Sequence, residues 1–187
     1  WLLPQLHDGN TPPQVDPNFW DCWLSSLMDE LQVPEPRRPK TREALFAHMT
    51  QTRTWSHVDP EAPPVLEALG QEGYGLGVIS NADGTMEEHL ARCGLKRYFR
   101  TIFDSGARGM EKPSPKIFTA ACSALGVAPA ESAYVGDVYS IDVAGAERAG
   151  LTGIILDRWE AYPNAPCPRI THLPELPSLL QERNRKG

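Results

Sequence analysis

The sequence predicts an α/β fold built on a parallel sheet, and two patterns lead to this prediction. After Pro60, short apolar runs alternate with amphipathic helical patterns along most of the chain. Polar or charged residues directly follow several of these runs, at the strand ends where parallel α/β sheets bind ligands. The chain has 187 residues, 41% of them hydrophobic, which is enough to bury a sizeable core.

Two helices are predicted before this alternation begins. Apolar residues recur at spacings of three and four from Phe19 to Leu31, which indicates an amphipathic helix whose tryptophans pack against other helices. A second helix is predicted from Thr41 to Thr52, with Thr41 as its N-cap. The clustered prolines around these helices mark connections.

The predicted elements after Pro60 follow one another in a regular order. They are a helix in PPVLEALGQEG, a strand in YGLGVIS, a helix from Met86 to Cys93, a strand in TIFDSG, a helix in SPKIFTAACSALG, a strand in SAYVGD, a helix in IDVAGAERAG, a strand in TGIILD, a strand in ITHL and a last helix.

Charge and cysteine usage narrow the class of protein. The net charge is −6 and basic residues cluster only in the tail ERNRKG, so nucleic acid and anionic membranes are poor candidates as partners. No apolar run approaches the roughly 20 residues that span a bilayer. The four cysteines form no CxxC pair, which favours reduced thiols in a cytoplasmic protein. None of these features fixes the oligomeric state.

Two of the predicted strand ends and loops could bind an anion such as a phosphoryl group. Ser80 and Asn81 end the run VISN, where a hydroxyl and backbone N–H groups can bind phosphoryl oxygens. Lys112 precedes Pro113, whose ring keeps it out of helical geometry and so gives its charge a fixed approach. The structural alternatives are that Ser80 or Asp83 caps the next helix and that Lys112 is a solvated surface residue.

A third strand end carries two carboxylates. Asp137 follows Gly136 at the end of the run SAYVG, and Asp142 lies near the start of the next helix. Two carboxylates on one loop suit Mg²⁺, which binds through one or two carboxylates together with water and substrate phosphate. The structural alternative is one N-capping Asp and one loop Asp.

The order of these three motifs, each on its own strand–helix unit, resembles the haloacid dehalogenase-like hydrolase superfamily. The resemblance implies that Ser80, with Asn81, binds substrate phosphate and that Lys112 neutralises phosphate and nucleophile. It implies that Asp137 and Asp142 hold Mg²⁺. It further implies a Rossmann-like parallel sheet core with helices on both faces at residues 59–187 and a partial α-helical cap at residues 1–58.

The function implied by this resemblance is that of a Mg²⁺-dependent phosphatase. Such an enzyme acts on a small phosphorylated metabolite through an aspartyl-phosphate intermediate. Two alternatives stay open, namely a catalytically inactive binding protein of the same superfamily and a metal-independent haloacid dehalogenase.

The sequence departs from the superfamily pattern at its start. The superfamily's nucleophile lies in an Asp-x-Asp motif after a first strand, whereas Asp8 and Asp16 are single acids with no apolar strand before them. The nucleophile is therefore expected upstream of residue 1, and its strand is expected between the strands ending in Ser80 and Asp137 or close to them. The 187-residue chain alone is expected to be inactive, and to be either poorly soluble or only partly folded.

Overall fold

A computed structural model describes residues 19–49 and 57–185 of the chain. The chain divides into two compact units, Trp1–His57 and Val58–Gly187. This boundary lies close to the predicted one, and the assignment of the first unit as part of a cap stays a prediction. The predictions for Asp8 and Asp16, and for the side chains of Trp20 and Trp23, lie outside the described part of the chain.

The first unit contains two helices, α1 (Phe19–Glu30) and α2 (Arg38–Met49). An ion pair of 2.6 Å between Arg42 and Asp21 connects them, and Arg38 pairs with Asp29 at the same distance.

The prediction that Thr41 caps the second helix is wrong. The helix α2 begins at Arg38, so Thr41 lies inside it. The first turn of a helix tolerates proline, because the missing N–H has no partner there in any case. Pro39 therefore lies within the helix rather than in the connection before it.

The second unit alternates strands and helices as predicted. Its strands are β1 (Gly77–Ser80), β2 (Thr101–Asp104), β3 (Ala133–Gly136), β4 (Thr152–Leu156) and β5 (Arg169–Ile170). Its α-helices are α3 (Ala62–Gln71), α4 (Met86–Arg92), α5 (Ser105–Arg108), α6 (Pro115–Leu125), α7 (Ala144–Arg148) and α8 (Leu176–Asn184). The strand predicted in ITHL is displaced, because only Ile170 of that run pairs in β5.

All strand pairs of the second unit are parallel. Within the described residues β1 pairs with β2, while β3, β4 and β5 form a second group in that order. Ser80 lies opposite Asp104 and Gly136 opposite Ile155, so the predicted strand ends lie at the carboxyl edges of these two groups. That a further strand lies between β1 and β3 remains a prediction.

Helices cover both faces of the strands. On one face α6 and α7 pack against β2 and β3, in a cluster that includes Phe103, Ile117, Phe118 and Tyr134. On the other face α3 and α8 pack against β4 and β5 through Val65, Leu69, Ile154, Ile170 and Leu176. Burying one side chain of the size of Phe118 contributes about 1.5–3 kcal/mol. The prediction of an α/β fold with parallel strands and two helical layers is confirmed.

The helix predicted in IDVAGAERAG begins differently from expectation. A π-helical turn, Tyr139–Val143, precedes the short helix α7. The small residues of α7 permit the close packing that the sequence predicts, since a Cβ on Gly145 would approach the ring of Phe118 to 2.8 Å. In the described residues no helix is both long and apolar enough to cross a membrane.

Candidate active site

Asn81 connects the loop after β1 to the segment that carries Lys112. Its Oδ1 accepts a hydrogen bond of 2.8 Å from the backbone N–H of Lys112, and its Nδ2 donates one of 2.9 Å to the Lys112 carbonyl. The Lys112–Pro113 peptide bond is cis. The backbone of Lys112 is thus fixed to the residue that follows Ser80.

The side chain of Lys112 points into the protein rather than into solvent. It is only 13% exposed, and its Nζ donates to Oδ1 of Asp142 at 2.8 Å and to the hydroxyl of Tyr134 at 3.0 Å. Burial lowers the pKa of the Lys112 ammonium, but the adjacent Tyr134 and Asp142 outweigh burial and leave that pKa raised. The group is therefore a fixed positive charge, and the alternative of a solvated surface lysine is wrong.

Asp142 is buried in the π-helical turn, and both of its carboxylate oxygens accept hydrogen bonds. Oδ1 accepts from Lys112, and Oδ2 accepts from the backbone N–H of Val138 at 2.9 Å. The carboxylate lies against Gly136, where an added Cβ would be 2.5 Å from Oδ2. The glycine at the end of β3 therefore provides the space that this carboxylate occupies.

Asp137 is exposed on the loop between β3 and the π-helical turn. Its carboxylate, like that of Asp142, helps to raise the pKa of both Tyr134 and Tyr162, where burial is the largest cause. The two predicted carboxylates therefore act on the same two phenols and lie in one neighbourhood.

Tyr134 is a site residue that the sequence analysis missed. Its hydroxyl donates to the carbonyl of Ile79 at 3.0 Å while accepting from Lys112. Its ring meets Phe118 edge-on, with centroids 5.0 Å apart. Burial, with a smaller contribution from Asp142, raises the pKa of Tyr134 to about 12, although Lys112 acts in the opposite direction. A phenol inside an apolar strand needs a hydrogen-bond partner, and that signal was present in the run AYVG.

Asp104, at the end of β2, was also missed. Its buried carboxylate accepts hydrogen bonds of 2.9–3.0 Å from the backbone N–H groups of Gly84, Met86 and Gly106. Because Met86 is the first residue of α4, the carboxylate of Asp104, rather than the hydroxyl of Ser80, accepts the hydrogen bond at that helix start. The loop that follows Ser80 is thereby fixed to the neighbouring strand end.

The loop after β4 supports the π-helical turn from its other side. Asp157 is buried and accepts hydrogen bonds from Arg169 Nε at 2.8 Å and from the backbone N–H groups of Ala161 and Tyr162. The hydroxyl of Tyr162 in turn accepts from the backbone N–H of Tyr139 at 3.4 Å. This loop therefore connects β4 and β5 to the turn that carries Asp142.

The donor set of the site is compatible with Mg²⁺ but small. Within residues 19–49 and 57–185 there is no group of three or more His, Cys, Asp or Glu side chains that could hold a metal ion. Asp137 and Asp142 are two hard oxygen donors near one strand end, and Gly136 leaves room for the second. Mg²⁺ requires only one or two carboxylates when water and substrate supply its other ligands. The residues present therefore fit this ion.

The chain is similar to known hydrolases in its sequence. The family model described as haloacid dehalogenase-like hydrolase matches residues 20–150. A glyceraldehyde 3-phosphate phosphatase from Methanopyrus kandleri is 38% identical over 126 residues, which cover 67% of this chain and 53% of the relative. The chain spans about half the length of the first curated relatives it matches.

Two solved structures show the same fold. A HAD phosphatase from Thermococcus onnurineus is 25% identical in sequence, and its structure matches with a TM-score of 0.67. The aligned region covers 87% of this chain and 88% of the other. A 2-haloacid dehalogenase from Pseudomonas syringae is also 25% identical, with a TM-score of 0.61 and coverage of 94% and 85%. One of these similar structures is thus that of a phosphatase and the other that of a dehalogenase.

Proposed function

Because the chain belongs to the haloacid dehalogenase-like hydrolase family, we propose that the protein is a Mg²⁺-dependent phosphatase that hydrolyses a small phosphomonoester. The observation that carries this proposal is the buried ammonium of Lys112, fixed beside the strand end that carries Ser80. A positive charge held out of bulk water interacts more strongly with a phosphoryl group than one on the surface. Similarity to the phosphatase from Methanopyrus kandleri supports the same choice.

The roles proposed for the site follow from its contacts. Lys112 neutralises phosphoryl oxygens, and Ser80 donates its hydroxyl to one of them. Asn81 contributes by fixing the backbone of Lys112 through two hydrogen bonds. Asp137 and Asp142 would hold Mg²⁺, which stabilises charge on the phosphoryl group when bound.

The proposed reaction has two steps. A carboxylate attacks phosphorus, the phosphorus–oxygen bond to the ester oxygen breaks, and an aspartyl phosphate forms. The ester oxygen takes up a proton and leaves as the alcohol. Water then hydrolyses that acyl phosphate, releasing inorganic phosphate and restoring the carboxylate. No Asp of the described residues is assigned as the attacking carboxylate, so this step is proposed for the protein made from its complete reading frame.

The proposal is tested with that protein on a panel of phosphomonoesters and 2-haloacids, each with and without Mg²⁺. We expect phosphate release from at least one ester only when Mg²⁺ is present. Lys112→Met should reduce kcat/KM by about 100-fold or more, because charge developing in the transition state loses its counter-ion. Lys116→Met, which removes an exposed lysine four residues later in the sequence, on α6, should leave kcat/KM unchanged.

Two results would contradict the proposal. Halide release without metal, in the absence of ester hydrolysis, would identify a dehalogenase. Binding of phosphorylated compounds without turnover of any substrate would identify a catalytically inactive binding protein.

A further inference from the structure

Tyr134 lies between Lys112 and the strand end that carries Ser80, the two groups proposed to bind phosphate. No phosphate-binding role is proposed for Tyr134 itself. A lysine ammonium has three N–H donors. Asp142 accepts one of them at 2.8 Å and Tyr134 accepts another at 3.0 Å. The direction left for a ligand is therefore set by these two oxygens together.

The hydroxyl of Tyr134 is itself held in one orientation. A phenol has one proton, and here it is donated to the carbonyl of Ile79, so that a lone pair of the same oxygen faces Lys112. Ile79 directly precedes Ser80. The ammonium of Lys112 is thus linked through one phenol to the backbone next to the Ser80 hydroxyl.

We infer that Tyr134 is a positioning residue that aligns the third N–H of Lys112 with the phosphoryl group bound at Ser80. This inference rests on the proposed function. The edge-on contact with Phe118, which is fully buried, keeps the ring from swinging away from Lys112. Asn81 fixes the lysine backbone and Asp142 fixes the charge, so the phenol supplies the remaining constraint on direction.

A purely structural role makes a different prediction. If Tyr134 only filled the core, Tyr134→Phe would keep the ring packing and leave catalysis intact. Under the positioning role the same substitution removes one of the two partners of Lys112 Nζ, which can then turn about its contact with Asp142. Transition-state stabilisation falls, because it depends on alignment more than ground-state binding does. Kinetic effects then appear without loss of the fold.

The matched control is Tyr74→Phe. Tyr74 lies just before β1, at the end of that strand remote from Ser80. It is also half-buried, and its hydroxyl accepts a hydrogen bond of 3.0 Å from Asn184. Both substitutions therefore remove one partnered hydroxyl from the same unit. Only Tyr134 contacts the proposed site.

The kinetic test uses the protein from its complete reading frame with the ester found active in the panel. We expect Tyr134→Phe to reduce kcat about 10-fold with KM changed less than 3-fold, and to weaken inhibition by orthovanadate by a similar factor to kcat. Inhibition by inorganic phosphate should change less than 3-fold, and Tyr74→Phe should change none of these values. In a Lys112→Met background Tyr134→Phe should have no further effect, because it acts through Lys112.

A measurement that needs no turnover separates this inference from the proposed function. The ¹⁵N resonance of the Lys112 ammonium, assigned by its loss in Lys112→Met, should be observable in the wild type and broadened in Tyr134→Phe. An unchanged ammonium resonance, or equal kinetic losses with and without Lys112, would overturn the positioning role. Failure of the wild type to hydrolyse any ester, with the resonance behaving as expected, would overturn the proposed function and leave only the alignment of the Lys112 ammonium by Tyr134.

Discussion

Replacing Gly136 by alanine places a methyl group against the carboxylate of Asp142. The added Cβ would lie 2.5 Å from Oδ2, whereas non-bonded heavy atoms of this kind prefer about 3.5 Å or more. Asp142 must therefore move by about 1 Å or rotate. Either change disturbs the hydrogen bonds that its two oxygens accept from Val138 and Lys112.

These contacts set the loss of stability expected for Gly136→Ala. Overpacking a tight site typically costs about 1–3 kcal/mol. A hydrogen bond to a charged group contributes about 1.5–3 kcal/mol, and here two of them weaken without both being lost. We therefore expect Gly136→Ala to lower the free energy of unfolding by about 3–5 kcal/mol, which is a large part of the stability of a typical domain.

The assay compares Gly136→Ala with Gly70→Ala by urea unfolding of the full-length protein. Gly70 lies near the end of α3, and a Cβ there would meet nothing within 4 Å. Because alanine favours helix over glycine by up to about 1 kcal/mol, the control should be neutral or slightly stabilising. Turnover should fall about 100-fold in Gly136→Ala alone, as expected when a catalytic group is displaced by about 1 Å.

A free energy of unfolding of Gly136→Ala within about 1 kcal/mol of the wild-type value would contradict this expectation. That result would mean that Asp142 relaxes freely and that its two hydrogen bonds hold it only weakly. Lost turnover with full stability would instead limit the contribution of Asp142 to function.

Two further predictions concern the carboxylates at the ends of β2 and β4. Asp104→Asn replaces an acceptor of three backbone N–H groups by an amide whose NH₂ opposes one of them, so urea unfolding should show a loss of about 1–3 kcal/mol. Asp29→Asn, the control at an exposed carboxylate, should show almost no loss of unfolding free energy. Burial raises the pKa of Asp157, but hydrogen bonds from Arg169, Tyr162 and Ala161 outweigh it and leave that pKa lowered. Its stabilisation is therefore present above the unfolded value of about 3.9 and is lost as the pH falls through the folded pKa, so Asp157→Asn should flatten the decline in unfolding free energy below about pH 4.

The strands of the second unit could be predicted from the sequence because each is a short apolar run with a polar residue at its end. Ser80 and Gly136 end their strands where the pattern places them. The position of Ser80 at a carboxyl edge follows from the parallel arrangement, because the carboxyl ends of parallel strands lie at one edge. Local composition and topology were sufficient for these features.

The partners of individual side chains could not be predicted in the same way. Tyr134 bonds to Ile79, which is 55 residues distant in sequence, and Asp104 bonds to Met86, which is 18 residues distant. Such pairs depend on which strands lie side by side, and the alternation of elements does not specify that. The π-helical turn at Tyr139 is too short for its periodicity to be distinguished from that of an α-helix.

The charges of the site favour a bound cation, and this argument is independent of the family resemblance. The formal charges of Asp137, Asp142 and Lys112 add to −1, because these residues contribute two carboxylates and one ammonium. A phosphomonoester dianion, together with an attacking carboxylate, would bring further negative charge to this partly desolvated edge, where repulsion is weakly screened. Lys112 alone cannot offset it, since its ammonium is already paired with Asp142. We propose that a divalent cation compensates this charge at the exposed Asp137. A dehalogenase that works without metal would gain nothing from that second carboxylate.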